Sequence, residues 1–286
     1  SVLLLSVLVT GCAVESGSGD VSFAHQGIVG GAEVQECVWP SAVYADRGGY
    51  PACTGTLVAP DVVIFAAHCM ADGPAPSSVK LGETSASPAL ELPTLGCKAD
   101  PSFVAFPEVG GGHDVAYCKL AAPVTAVPVV PILMGCETEA LVSGSDVVAV
   151  GFGSSETKTK GAKRAVTLAL HEIVGNEAYL GGGGKGTCYG DSGGPVFVRL
   201  ASGEWRVFGV ISWAPGECGS GEYASLIHPE IGWLENSSGV DLTPCFANGE
   251  WAPTPRCGHF PLEPEVGLTL ASVGAAPVAL KPFGRT

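Results

Sequence analysis

Charge is scarce in this 286-residue sequence: Asp, Glu, Lys and Arg make up only 15% of it, and 14 Lys plus Arg stand against 28 Asp plus Glu. The net charge of −14 and the lack of any Lys/Arg cluster exclude nucleic-acid binding, because phosphates must be neutralised by cations. Long hydrophobic runs are also missing, since residues 2–9 and 265–280 are too short to span a bilayer. The histidines other than His68 (25, 113, 171, 228 and 259) show no metal-ligand spacing, so neither a metal nor another cofactor is expected.

Glycine, proline and cysteine are instead abundant, with 41, 22 and 11 residues. Many glycines and prolines in a chain of low charge favour an all-β, turn-rich protein over a helical one. Eleven cysteines indicate disulfide bonds and therefore an oxidising compartment. The sequence thus predicts an exported protein.

The N-terminal residues predict how the chain is exported. Residues 1–11 are apolar and read as the remainder of a signal peptide. They end in Leu-Val-Thr-Gly-Cys, which resembles the bacterial lipobox, so we expect lipidation of Cys12. An ordinary signal cut that leaves Cys12 as a spare thiol is the alternative, but removing Cys12 leaves an even ten cysteines. Ala13 in the next position favours the outer membrane, and the small polar residues 12–27 predict a flexible tether.

Four short motifs carry the chemistry. Residues 190–195 read Gly-Asp-Ser-Gly-Gly-Pro, in which Ser192 is a nucleophile only if a base lies beside it. Residues 65–69, Phe-Ala-Ala-His-Cys, supply a histidine in an apolar run. Residues 112–117, Gly-His-Asp-Val-Ala-Tyr, supply a carboxylate at the start of a strand-like segment. Residues 28–31, Ile-Val-Gly-Gly, are typical of a mature N-terminus.

In this order the four motifs resemble the chymotrypsin/trypsin family of serine proteases, and the resemblance covers about residues 28–236. It implies an all-β fold of two six-stranded antiparallel Greek-key barrels with a short C-terminal helix. It also implies that Ser192 is the nucleophile, His68 its base and Asp114 the carboxylate that orients His68. The backbone N–H groups of Gly190 and Ser192 would form the oxyanion hole.

The same resemblance implies a zymogen. Cleavage before Ile28 would free an α-amine that inserts and pairs with Asp191. Gln26 and Gly27 precede this bond, where trypsin-activated zymogens carry Arg or Lys. We therefore expect activation by another, unidentified protease.

The cysteines fall into two groups. The resemblance pairs Cys53 with Cys69 and Cys188 with Cys218, while a short loop suggests Cys245 with Cys257. The remaining four, Cys37, Cys97, Cys118 and Cys136, allow three connectivities. Of these we favour Cys37–Cys136 and Cys97–Cys118.

Aligned to the family, the substrate pocket has Gly186 at its floor. One wall would hold Ser212, Trp213 and Ala214, and the opposite wall Gly221. With no charge at the floor and a methyl group on the wall, this register predicts small or medium apolar residues at the cleavage site. A register shifted by one residue instead places Glu222 in the pocket, and a buried carboxylate there would select Arg or Lys.

The most economical reading is an active endopeptidase acting on protein or peptide substrates, without a cofactor. The alternative is a catalytically silent homologue that acts as an extracellular binding module. Such homologues usually lack a triad residue, whereas all three are present in this sequence. Residues 237–286 lie outside the resemblance, and their sequence indicates no function.

Overall fold

The computed structural model describes residues 28–71, 73–105, 108–155, 157–247 and 250–252. The expected signal segment 1–11, the tether 12–27 with Cys12, and Cys257 lie outside the described residues, so the predictions about them remain predictions. Among the described helices, none is both long enough and apolar enough to cross a membrane.

The first half of the chain forms a closed barrel from short, buried strands. Its strands, preceded by the separate strand β1, are β1 (Ala32–Glu33), β2 (Ala42–Asp46), β3 (Cys53–Ala59), β4 (Val62–Phe65), β5 (Ser78–Leu81), β6 (Leu90–Ala99) and β7 (Ala116–Leu120). The barrel closes in the antiparallel order β2-β3-β4-β7-β6-β5. Every side chain of β4 is fully buried, which explains its uninterrupted run of β-branched and aromatic residues.

The second half repeats this architecture. Its strands are β8 (Asp146–Gly151), β9 (Arg164–Val174), β10 (Glu177–Leu180), β11 (Pro195–Arg199), β12 (Trp205–Trp213) and β13 (Glu222–Leu226). They follow the order β9-β10-β13-β12-β11-β8, and pairing between β8 and β9 closes the ring, while β1 adds to β9. The predicted pair of six-stranded antiparallel barrels is therefore confirmed.

A short helix, α1 (Ile231–Ser238), follows the second barrel and packs back on the first. Gly239 ends α1 with φ 72°, a left-handed conformation that glycine adopts without strain. Tyr117 in β7 donates a hydrogen bond of 2.6 Å from its hydroxyl group to the carbonyl oxygen of Ser237. The predicted C-terminal helix is thus present, and a small hairpin of β14 (Phe246–Ala247) and β15 (Glu250–Trp251) follows it.

Three of the predicted disulfides are formed: Cys53–Cys69, Cys97–Cys118 and Cys188–Cys218. The favoured Cys37–Cys136 pairing is wrong. Cys136 is a free, exposed thiol in the 3-10 turn Gly135–Ala140, whereas Cys37 is disulfide-bonded. Cys245 is also disulfide-bonded, but its predicted partner Cys257 lies outside the described residues.

Candidate active site

The pairing of β4 with β7 in the first barrel brings His68 and Asp114 into direct contact. His68 lies in the 3-10 turn Ala67–Met70 that follows β4, and the Cys53–Cys69 disulfide ties this turn to β3. Its ring Nδ1 lies 2.6 Å from Asp114 Oδ2, and its backbone N–H donates to Asp114 Oδ1 at 2.8 Å. The Asp114 carboxylate therefore fixes both the backbone and the ring of His68.

Asp114 is only 3% exposed and immediately precedes the buried run that enters β7. The hydroxyl group of Ser212, from β12 of the second barrel, donates to its Oδ2. Burial alone would raise the pKa of this carboxyl group, but the hydrogen bonds and charge of His68, with the bond from Ser212, hold the pKa below its ordinary value. Asp114 is thus an ionised hydrogen-bond acceptor.

Ser192 lies on the loop between β10 and β11, and its carbonyl oxygen accepts the backbone N–H of Thr54 at 2.8 Å. The next residue must be glycine: Gly193 has φ +85°, and a Cβ there would lie 2.3 Å from the carbonyl oxygen of Thr54. Ser192 and His68 line one cavity of about 300 Å³. No hydrogen bond joins their side chains within the described residues, and such bonds are often long before substrate binds.

Gly190 is oriented by a residue that the sequence did not single out. Thr54 Oγ1 donates to the carbonyl oxygen of Gly190 at 2.8 Å and accepts the backbone N–H of Phe152 at 3.1 Å. The backbone of Gly190 has φ +102°, a conformation that side-chain-bearing residues rarely adopt. Thr54 therefore links the first barrel to the loop that carries Ser192.

Asp191 is fully buried and held by backbone groups. Its Oδ1 accepts the N–H of Gly153 at 2.7 Å and its Oδ2 accepts the N–H of Cys188 at 2.9 Å. A Cβ on Gly151 or Gly153 would lie 2.0 or 2.6 Å from the Asp191 carboxylate, which explains the Gly-Phe-Gly motif at this position. Burial raises the pKa of Asp191 to about 6 despite these hydrogen bonds.

Ile28, the predicted partner of Asp191 after cleavage, is 1% exposed and packs in the core of the second barrel. Its neighbour Val29 pairs with Gly186, whose N–H donates to the Val29 carbonyl oxygen at 3.0 Å. Within the described residues of the intact chain, no hydrogen bond or ion pair joins Ile28 to Asp191. The structure therefore places Ile28 inside the barrel without this ion pair.

Glu222, the residue that the shifted register would place in the pocket, lies beside Gly186. A Cβ on Gly186 would lie 2.9 Å from Glu222 Oε2, so these two residues are neighbours. Gly221, expected on the wall, instead faces Tyr179, because a Cβ there would lie 2.3 Å from the Tyr179 hydroxyl oxygen. The register of β12 against β13 shifts between Ile211 and Trp213, which pairs Trp213 with Tyr223. A buried carboxylate thus adjoins Gly186, and the expected specificity of the pocket remains a prediction.

Glu222 is 2% exposed, and one of its two carboxylate oxygens accepts hydrogen bonds. Oε2 accepts the backbone N–H of Thr187 and the Thr187 hydroxyl group, the latter at 2.7 Å. Oε1 is buried and has no hydrogen-bond partner in the part of the chain that the structure describes. Burial raises the pKa of Glu222 to about 7, and the nearby Asp191 charge adds to this.

Trp213, at the end of β12, is held in place by two side chains. Trp213 stacks on Tyr223 with ring centroids 4.4 Å apart, and its indole N–H donates to Glu177 Oε1 at 2.8 Å. The other oxygen of Glu177 accepts the N–H of Gly110 at 2.6 Å. Ala214, beyond the end of β12, is exposed, so an extended peptide could pair with this edge. Neither Glu177 nor Thr54 carries a local sequence signal, because each acts through contacts distant in the chain.

Comparison with known proteins agrees with this geometry. A sequence model described as Trypsin matches residues 28–230. The chain is 29% identical to a trypsin-like protease of Streptomyces glaucescens over 70% of this chain and 79% of that protein. It is 28% identical to human kallikrein-2 over 79% of this chain and 94% of the relative. A third relative, phenoloxidase-activating factor 3 of Holotrichia diomphalia, is 25% identical over 65% of this chain and 63% of its own length.

Proposed function

Because the chain belongs to the trypsin family of serine proteases, we propose that it is an active serine endopeptidase that cleaves protein or peptide substrates. The main support is the buried Asp114 carboxylate, which holds His68 through both its ring and its backbone. His68 in turn shares a cavity with Ser192. A homologue that only binds partners would not need a buried carboxylate that orients an imidazole in this way.

In the proposed reaction, Ser192 Oγ attacks the scissile carbonyl carbon and His68 Nε2 takes its proton. Asp114 keeps the Nδ1–H tautomer and stabilises the imidazolium. The N–H groups of Gly190 and Ser192 stabilise the oxyanion, with Thr54 holding the Gly190 carbonyl away from it. His68 then protonates the leaving amine, and water releases the acyl group through the same histidine.

The substrate residue before the scissile bond is Arg or Lys, and Glu222 selects it. This rests on the buried carboxylate beside Gly186, whose Oε1 has no hydrogen-bond partner within the described residues. A site that holds a buried charge rejects substrates that leave the charge unpaired. An apolar side chain would have to enter the pocket beside a carboxylate that must first take up a proton.

The enzyme is made as a zymogen. In the intact chain the buried Asp191 has no cationic partner in contact within the described residues, and burial raises the pKa of Asp191 to about 6. Cleavage before Ile28 by an unidentified protease would supply an α-ammonium group to pair with it. Removing one partner of a buried ion pair costs about 3–5 kcal/mol, enough to couple cleavage to the conformation of the neighbouring oxyanion hole.

Activation also releases the enzyme from a membrane. This rests on the expected lipidation of Cys12 at the bacterial outer membrane, because Cys12 and the catalytic domain lie on opposite sides of the bond before Ile28. Cell fractionation with N-terminal sequencing tests it: soluble active enzyme should begin at Ile28. Active enzyme that remains in the membrane fraction with Cys12 attached would contradict it.

A fluorophosphonate probe tests the catalytic proposal directly. The cleaved protein should react covalently at Ser192, and Ser192→Ala should abolish labelling while circular dichroism shows the fold intact. We expect kcat of this variant to be lower by about six orders of magnitude. A folded, cleaved protein that neither reacts with the probe nor hydrolyses casein would instead be the silent binding module.

A further inference from the structure

Three side chains that the catalytic mechanism does not use meet directly behind Asp114. Asp100 follows β6, and its backbone N–H donates to the carbonyl oxygen of Val115 at 2.9 Å. His113 immediately precedes Asp114, and Glu230 ends the 3-10 turn His228–Glu230. One possible ligand atom from each of Asp100, His113 and Glu230 lies within 4.8 Å of those of the other two.

The charges in this cluster do not balance. Asp100 and Glu230 are each 5% exposed, and within the described residues the basic side chain beside them is that of His113. Burial and the adjoining Asp100 carboxyl group raise the pKa of Glu230. Two buried carboxylates next to one imidazole need either a shared proton or an additional cation.

Two facing atoms of the cluster, His113 Nδ1 and Glu230 Oε1, also lack well-aligned hydrogen bonds to any described residue. His113 Nδ1 and Glu230 Oε1 lie 2.7 Å apart, yet both are buried and neither has a hydrogen-bond partner of acceptable geometry within the described residues. Their close but misaligned approach leaves the nitrogen lone pair and the carboxylate oxygen available to a third atom. The other ring nitrogen, Nε2, lies 3.3 Å from the side-chain amide of Asn176. With the amide oxygen turned toward it, this contact would hold Nε2–H and leave Nδ1 as the ligand.

We propose that Asp100, His113 and Glu230 bind a divalent first-row transition-metal ion, of which Zn²⁺ is the representative, and that binding inhibits peptidase activity by moving Asp114. One imidazole nitrogen and two carboxylate oxygens suit Zn²⁺, whereas Ca²⁺ requires six to eight oxygen ligands. Three protein ligands leave a fourth position open to water, as in exchangeable zinc sites.

The proposed inhibition follows from the chain connectivity. Two zinc ligands at about 2.0–2.2 Å from a tetrahedral ion are about 3.4 Å from each other. His113 Nδ1 and Glu230 Oε1, which are 2.7 Å apart, would therefore have to separate to admit the ion. His113 has φ 61°, a left-handed conformation, and the next residue is Asp114. Movement of the His113 backbone would shift the carboxylate that positions His68. A displacement of about 1 Å in a catalytic group can cost about 10²-fold in rate.

Binding is measured first, because it does not depend on the proposed peptidase activity. Isothermal titration of the full-length chain with ZnCl₂ should give a dissociation constant in roughly the micromolar range, and Co²⁺ should give a visible absorption spectrum. Glu230→Gln and Asp100→Asn should each weaken binding by at least about tenfold. The matched control Glu172→Gln removes an exposed carboxylate and should bind like wild type. No zinc binding below about 1 mM, or equal affinity in wild type and both folded cluster variants, would overturn the site.

The inhibitory arm uses the rate of fluorophosphonate labelling of the cleaved enzyme with and without Zn²⁺. Labelling should slow in wild type and in Glu172→Gln but not in Glu230→Gln. His68 is itself a possible zinc ligand, so inhibition that persists in Glu230→Gln would place the effect at His68 and refute inhibition through movement of Asp114. Zinc binding by a cleaved protein that the probe does not label even without Zn²⁺ would count against the peptidase proposal and leave the metal site standing.

Discussion

Replacement of Glu222 by Gln should remove the preference for a basic residue before the scissile bond. Burial shifts the pKa of Glu222 from 4.5 to about 7, and a shift of this size corresponds to about 3 kcal/mol of unfavourable charge burial. A substrate guanidinium group would offset that cost by pairing with Oε1. Because Glu222→Gln removes this ion pair, the variant should have a kcat/KM for an Arg substrate that is lower by about 10²-fold.

The assay compares p-nitroanilides with Arg and with Leu before the scissile bond, and reports the ratio of their kcat/KM values at each pH. Because both substrates use the same His68 and Ser192, the titration of the catalytic groups cancels in this ratio. In wild type the ratio should rise about tenfold per pH unit through pH 7, because Arg requires ionised Glu222 and Leu requires protonated Glu222. In Glu222→Gln it should be low and independent of pH.

Glu217→Gln is the matched control, since Glu217 is an exposed carboxylate on the same segment, and it should keep the wild-type profile. Fluorophosphonate labelling verifies that each variant retains an intact catalytic site. A wild-type enzyme that prefers Leu, or an Arg preference that survives in Glu222→Gln, would refute the role of this carboxylate.

Three further predictions follow from the site. Asp114→Asn should lower kcat by about 10⁴-fold with the fold retained, because the amide favours the wrong His68 tautomer, and casein hydrolysis beside circular dichroism measures this; a fall of less than tenfold would contradict it. Gly193→Ala should lower the free energy of unfolding by about 3 kcal/mol, because the new methyl group would meet the Thr54 carbonyl oxygen and φ is positive. The control Gly183→Ala also has a positive φ, +65°, but no atom within 4 Å, so thermal unfolding should show only the smaller loss that is due to φ. Folding raises the pKa of Asp191 from 3.8 to about 6, so the folded state holds this proton more tightly than the unfolded state. The intact Ser192→Ala protein should therefore lose about 3 kcal/mol of stability as the pH rises through 6. Denaturant titrations at pH 4 and 8 measure the loss, and the further replacement Asp191→Asn should remove the part that is due to Asp191.

Much of the fold could be predicted from short stretches of sequence. The apolar run of β4 and the Gly-Asp-Ser-Gly-Gly-Pro loop each carry local constraints on backbone conformation. The two barrels were implied by the resemblance of the four motifs to the chymotrypsin/trypsin family. Gly193 shows why such motifs are readable, since only glycine fits against the Thr54 carbonyl oxygen. The resemblance to the family also implied the disulfides Cys53–Cys69 and Cys188–Cys218, which the structure contains.

Other features depend on which segments meet in space. The cluster of Asp100, His113 and Glu230 joins three segments that are distant in the chain, so no spacing of ligand residues in the sequence predicts it. Thr54 and Glu177 likewise act only through residues far away in the chain. The exposed thiol of Cys136 shows that counting cysteines does not determine their partners.

By itself, the sequence determined the family, the order of the barrels and the residues that would form the triad, because these rest on local backbone and side-chain requirements. Only the tertiary structure decided that Glu222, and not Gly221, lies beside Gly186. The reason is the two-residue period of a β-strand: a shift of one residue in pairing turns every side chain to the other face. That pairing joins β13 to β10 and β12, strands that are distant in the chain.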